Sequence, residues 1–183
     1  LTREITLLDK LTVIDSQGRW LVNSQQFMRQ DLTSEFREYF IYHRDNRGTA
    51  AFVGPPLRDR TTGAWVMTLS RRIDSPSGQF AGVAVASISL AYLQRFHDRF
   101  ELGKDGAIIL MLAEGKVLTR RPAVENLIGK NIADRPLYRD HLARNLEGNA
   151  LLTAQQDGIE RIYGYVQLAD FPLIAVAALG KEE

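Results

Sequence analysis

The stretch Leu11-Thr12-Val13-Ile14-Asp15-Ser16-Gln17-Gly18-Arg19-Trp20-Leu21-Val22 reads as two short strands around a tight turn, with the acidic residue and glycine that such turns favour. It returns in residues 108–118, where Ala113-Glu114-Gly115 separates Ile109-Leu110-Met111 from Val117-Leu118. A strand, turn and strand repeated at this separation implies a chain built as two related halves.

The later parts of the halves echo each other as well. Thr62-Gly63 precedes a strand over 65–73, and Asp157-Gly158 precedes one over 159–168. An apolar closing strand follows each, Gly82-Val83-Ala84-Val85-Ala86-Ser87-Ile88 in the first half and Pro172-Leu173-Ile174-Ala175-Val176-Ala177-Ala178 in the second. Between these strands the spacing predicts a helix over 33–44, capped by Thr33 or Ser34, with Phe36, Tyr39, Phe40 and His43 on one face. Strand material is expected over 49–54, ended by Pro55-Pro56. A helix over 90–100, carrying Leu93, Phe96 and Phe100, joins the halves, and another is expected over 135–146. Leu1, Ile5 and Leu8 have helical spacing, so residues 1–10 read as the end of a longer N-terminal helix. The expected fold is α+β, with antiparallel sheets flanked by helices, and its divisions fall at 1–10, 11–89, 90–102 and 103–183.

The composition narrows the function. At 183 residues, with 45% hydrophobic residues and a formal net charge of +1, the chain is globular and lacks the basic excess that nucleic acid demands. It has no cysteine, which rules out disulfides, thiolate metal sites and cysteine nucleophiles. No apolar run is long enough to span a bilayer, and the termini read as cuts from a longer protein. His43, His97 and His141 each stand alone, with no metal-ligand spacing around them. No nucleophile elbow, phosphate loop or dinucleotide fingerprint occurs. Neither catalysis, a metal nor a cofactor is expected.

What remains is a binding pocket. Strand alternation places Trp65, Met67, Leu69, Arg71 and Ile73 on one face and Val66, Thr68, Ser70 and Arg72 on the other. Arg71 thereby shares a face with bulky apolar side chains, where a charge is costly unless an anion meets it. With Tyr39, His43 and Trp65 it would form an aromatic pocket with one cation, suited to a small organic anion such as a carboxylate. The same residues also read as ordinary core, with Arg71 paired to an acid such as Glu38. In the second half, Arg120-Arg121 with Tyr163 and Tyr165 invites a similar reading, with core or surface favoured over ligand.

The chain resembles the double Cache sensor regions, two tandem PAS-like modules on a long N-terminal helix, found outside the membrane in bacterial receptors. The resemblance rests on Val13-Ile14-Asp15 with Gly18, Arg37-Glu38-Tyr39-Phe40 with His43, Gly54-Pro55-Pro56 and Thr62-Gly63-Ala64-Trp65. It continues through Leu69-Ser70-Arg71-Arg72-Ile73, Gly82-Val83 and the segment from Asp157-Gly158 to Pro172. The Ser-Arg-Arg-Ile and Arg-Glu-Tyr-Phe strings are similar to the version preceding GGDEF diguanylate cyclase domains. The resemblance implies a periplasmic sensor in an inner-membrane protein, flanked by membrane spans and homodimeric in the full receptor, with a small ligand in the membrane-distal module. By matching position it implicates Arg37, Tyr39, His43, Trp65, Arg71 and Arg72. The amino-acid-binding branch has a tryptophan in its aromatic-Arg-Trp-aromatic pattern that Arg37-Glu38-Tyr39-Phe40 lacks. Two alternatives stand beside this reading: a histidine kinase or chemoreceptor sensor, or a ligand-free dimerisation and partner-binding module.

Overall fold

The computed structural model describes residues 7–25, 33–155 and 157–183. The chain divides into two compact units, Leu1–Ser89 and Leu90–Glu183.

In the first unit, β1 (Leu8–Asp15) and β2 (Trp20–Asn23) form the opening hairpin, followed by α1 (Glu38–Asp45). The short β3 (Phe52–Val53) and β4 (Leu57–Arg58) lead to the long β5 (Trp65–Asp74) and β6 (Phe80–Ser89). All pairings are antiparallel, in the order β2-β1-β6-β5-β3, with β4 also on β5. The second unit opens with α2 (Leu90–His97), then β7 (Ala107–Leu112) and β8 (Val117–Arg121). A single π-helical turn, Leu137–Leu142, precedes β9 (Glu147–Thr153), β10 (Glu160–Gln167) and β11 (Leu173–Gly180). Its antiparallel sheet runs β8-β7-β11-β10-β9. Both sheets thus place the opening hairpin at one edge, with the last strand of the unit beside its first.

The two hairpins are alike in detail. Each carries a register shift, between Val13 and Ile14 and between Leu110 and Met111. Gly18 (φ 84°) and Gly115 (φ 93°) occupy the left-handed position that ends each turn, where a side chain is strained. The residue after each glycine bridges to the segment returning over the turn, Arg19 to Thr33 and Lys116 to Asn131.

Several expectations are corrected. Leu8, Asp9 and Lys10 are strand, not helix, because they continue the alternation of β1 and pair with β6 as Leu8 to Ile88 and Lys10 to Ser87. The rest of the expected N-terminal helix, residues 1–6, lies outside the described residues. The α1 helix starts at Glu38 with Arg37 at its N-cap, not at Thr33 or Ser34. Thr33 is held in a strand bridge, and the Ser34 hydroxyl accepts hydrogen bonds from Trp20 Nε1 (2.9 Å) and Tyr39 Oη (3.1 Å), so neither caps the helix. With the helix displaced, Phe36 falls outside it and is 76% exposed, while Tyr39, Phe40 and His43 are buried. The expected strand over 49–54 shrinks to Phe52–Val53.

The core of the first unit packs Tyr39 and Phe40 on Ile14, Val83 and Val85. Phe40 meets Phe80 edge to face at 5.5 Å, and its burial contributes on the order of 2–3 kcal/mol. The second core joins Met111, Val117, Leu127, Ile132, Tyr163, Tyr165, Ile174 and Val176. On β10 the side chains of Arg161, Tyr163 and Tyr165 alternate inward, as period-two patterning requires.

Candidate functional site

The first unit holds a small cleft, open to solvent, between its sheet and the segment around α1. Its floor follows from strand register. Lys10 on β1 lies opposite Ser87 on β6, which lies opposite Thr68 on β5, giving one polar cross-strand row. Thr12 and Val85 extend that floor, Leu57, Asp59 and Arg60 form one wall, and Trp20, Ser34, Arg37 and Tyr39 form the other. Lys10 faces inward because Lys10, Thr12 and Ile14 share the buried face of β1.

Charge dominates this cleft. Lys10 Nζ forms an ion pair with Asp59 Oδ2, with both side chains at least 95% buried, and the ammonium also lies 4.9 Å from the centre of the Trp20 ring. The other Asp59 oxygen accepts the backbone N–H groups of Thr61 (2.8 Å) and Thr62 (2.9 Å). Burial alone would raise the Asp59 carboxyl, but together Lys10 and these amides hold it below its ordinary value. Asp9, on the same strand, is pushed up by burial and by the nearby Asp59 charge. Arg60 donates to the Thr33 carbonyl. Among the described residues, Arg37 has no acidic partner within ion-pair distance, and burial, then the charge of Arg60, lower its pKa. Burial raises the Tyr39 phenol, which stays a neutral hydrogen-bonding group in the wall.

Of the six residues singled out in the sequence, Arg37 and Tyr39 line this cleft and the other four do not. His43 is fully buried one helical turn beyond Tyr39, its Nε2 3.0 Å from Ser70 Oγ. The Arg71 and Arg72 expectations are reversed. Arg71 is exposed, whereas the Arg72 side chain is 4% exposed. Arg72 is held by Asp74 at 2.6 Å, by the His43 carbonyl, and by the Phe80 ring at 4.8 Å. The physical reason is that Val66, Thr68 and Ser70 carry the covered face of β5, and Arg72 continues that face. Trp65 lies on the opposite face, with the Arg58 guanidinium stacked 4.4 Å from its ring centre.

Sequence reasoning missed Lys10, Asp59 and Arg60. Extending the Thr12, Ile14 alternation back by one step would have turned Lys10 inward. Asp59, just ahead of Arg60-Thr61-Thr62-Gly63, reads as a turn residue; its turn hydrogen bonds are real but use only one carboxylate oxygen.

Comparison with known proteins places this geometry in context. A family model described as a dCache_1-like histidine kinase sensor domain matches residues 90–178. The extracellular domain of rpHK1S-Z16, assigned as a histidine kinase, superposes with a TM-score of 0.91 at 29% identity, covering 99% of this chain and 74% of that one. The ligand-binding domain of the Pseudomonas fluorescens chemoreceptor CtaA, solved with L-isoleucine, has a TM-score of 0.72 at 18% identity, covering 100% and 73% of the two chains. That of the Pseudomonas aeruginosa PAO1 amino acid chemoreceptor PctB, solved with L-Arg, has a TM-score of 0.72 at 17% identity, covering 97% and 73%. These chemoreceptor likenesses show the fold alone. No curated protein sequence matches the chain. Residues 90–178 thus match the dCache_1-like histidine kinase sensor family, and the whole chain shares the fold of the extracellular sensor domain of rpHK1S-Z16.

Proposed function

We propose that the chain is the periplasmic sensor of an inner-membrane signalling protein, flanked by membrane spans and dimeric in the full receptor, and that its first unit binds a small organic carboxylate. The observation that carries this reading is the surplus of positive charge in the cleft. Among the described residues, Lys10, Arg37 and Arg60 line it against one carboxylate, Asp59, and Lys10 already neutralises that carboxylate. Arg37 beside the Tyr39 and Ser34 hydroxyls offers the planar donor fork that a carboxylate accepts.

The amino acids bound to CtaA and PctB make amino acids the natural rival ligands. An ammonium group, however, would have to displace Lys10 from Asp59, so carboxylates without an α-amine are the better fit. The Arg37–Phe40 and Ser70–Ile73 strings favour a diguanylate cyclase as the output. A histidine kinase is the second reading, favoured by the family match over residues 90–178.

Calorimetric titration with paired carboxylates and α-amino acids of equal carbon skeleton tests the ligand class. Des-amino carboxylates are expected to bind and to raise the melting temperature, with binding lost in Arg37→Gln. Absence of binding by every carboxylate, or binding indifferent to Arg37→Gln, overturns the reading.

A further inference from the structure

A second, chemically different cavity lies in the second unit. It is open on one side and lies over the covered face of the sheet, beneath the segment that leads into the π-helical turn. Its lining is mostly apolar, with Ile109, Leu127, Ile132, Leu137 and Leu152 prominent, and Arg120 and Arg135 supply positive charge.

The two buried arginines of this unit differ in how far they are satisfied. Arg161, 2% exposed, is held bidentately by Asp157 at 2.8 Å on both oxygens and donates through Nε to the Asp105 carbonyl. Arg120 is 7% exposed and lines the cavity, yet its single side-chain bond goes from one terminal nitrogen to the Pro122 carbonyl at 3.1 Å. Its Nε is buried and has no hydrogen-bond partner among the described residues. Asp157 is committed to Arg161, and among the described residues no acid pairs with Arg120 or Arg135. A buried guanidinium with unused donors is costly, and an anion entering the cavity relieves that cost.

We infer that the second unit carries its own ligand site, for a monocarboxylate with an apolar body. The carboxylate meets Arg120 and Arg135, and the hydrocarbon lies among Ile109, Leu127, Ile132, Leu137 and Leu152. This site is separate from the cleft of the first unit and shares no residue with it. Tyr138 closes one side, anchored through its hydroxyl to the Ala113 carbonyl.

Titration of the intact chain with hexanoate and with its neutral analogue hexanamide, followed by NMR of the backbone amides, tests the site. Hexanoate is expected to shift the Leu127–Tyr138 amides saturably, and hexanamide to do so roughly tenfold more weakly or not at all. Arg120→Gln and Arg135→Gln should each weaken hexanoate roughly tenfold or more. If Arg120→Gln fails to fold, the half-buried Arg135 gives the answer alone. The Arg37→Gln variant separates this site from the first, since hexanoate must still shift these amides when that cleft is disabled. Equal binding of the amide, insensitivity to both second-unit substitutions, or no saturable shift in these residues overturns the inference.

Discussion

Lys10 and Asp59 set the chemistry of the first cleft, and their pairing decides how it responds to substitution. Both side chains are buried, so removing one leaves an uncompensated charge, which costs on the order of 3–5 kcal/mol. Lys10→Met and Asp59→Asn are each expected to lower the unfolding free energy by about that amount. The double variant should lose clearly less than the sum of the singles, as urea denaturation of all four proteins would show. An additive double variant would mean that the two groups do not depend on each other. Lys10→Met has a functional consequence as well. It frees Asp59 to accept a ligand ammonium, so the preference in paired titrations should move from des-amino carboxylates toward α-amino acids. No movement would show that Lys10 is not what excludes the amine. Arg37 should respond differently, because it has no acidic partner among the described residues. Arg37→Gln is expected to cost little stability and most of the carboxylate affinity.

Among the elements, β1 and β6 form the seam on which the cleft floor rests, and Gly82 marks its tightest point. A Cβ there would stand 2.0 Å from the Ile14 carbonyl oxygen, at φ 153°. Gly78 lies in open space in the preceding turn. Gly82→Ala should therefore cost more than about 2 kcal/mol and Gly78→Ala about 1, from left-handed strain alone; equal denaturation midpoints would contradict this. The long strands were legible in the sequence because period-two patterning and turn glycines agree over β5, β6, β10 and β11. The start of α1 was not legible. Thr33 and Ser34 look like caps, but long-range partners claim them, with Arg19 bridging to Thr33 and Trp20 and Tyr39 bonding to Ser34. The cleft was half legible for the same reason. Arg37 and Tyr39 sit on one predicted helix, whereas Lys10 on β1 and Asp59 in the turn after β4 are 49 residues apart and meet only once the sheet assembles. Arg71 and Arg72 were exchanged because a strand's two faces are equivalent until packing shows which is covered.

At the scale of the whole molecule, the repeated halves share a sheet order and a hairpin but hold chemically different pockets, one polar and cationic, the other apolar with an unsatisfied guanidinium. Each half also buries one imidazole. His43 in the first unit and His97 in the second are both buried beside a hydroxyl, Ser70 at 3.0 Å and Thr119 at 3.4 Å. Burial lowers both pKa values, and the nearby charges of Arg72 and Arg121 add to the effect. A base whose folded pKa is depressed binds its proton more readily when unfolded. Its contribution to stability is therefore complete above the unfolded value, about 6.5, and is lost as pH falls below it toward the folded value. The raised pKa of Asp9 acts in the opposite sense above the ordinary carboxylate range. For this reason the informative quantity is the difference between variants that all retain Asp9. Wild-type protein should lose stability between pH 7 and 5, His43→Gln and His97→Gln should each flatten part of that slope, and the double variant should flatten it most. An unchanged slope in the double variant, measured by urea denaturation at each pH, would show that neither imidazole is held neutral by its unit.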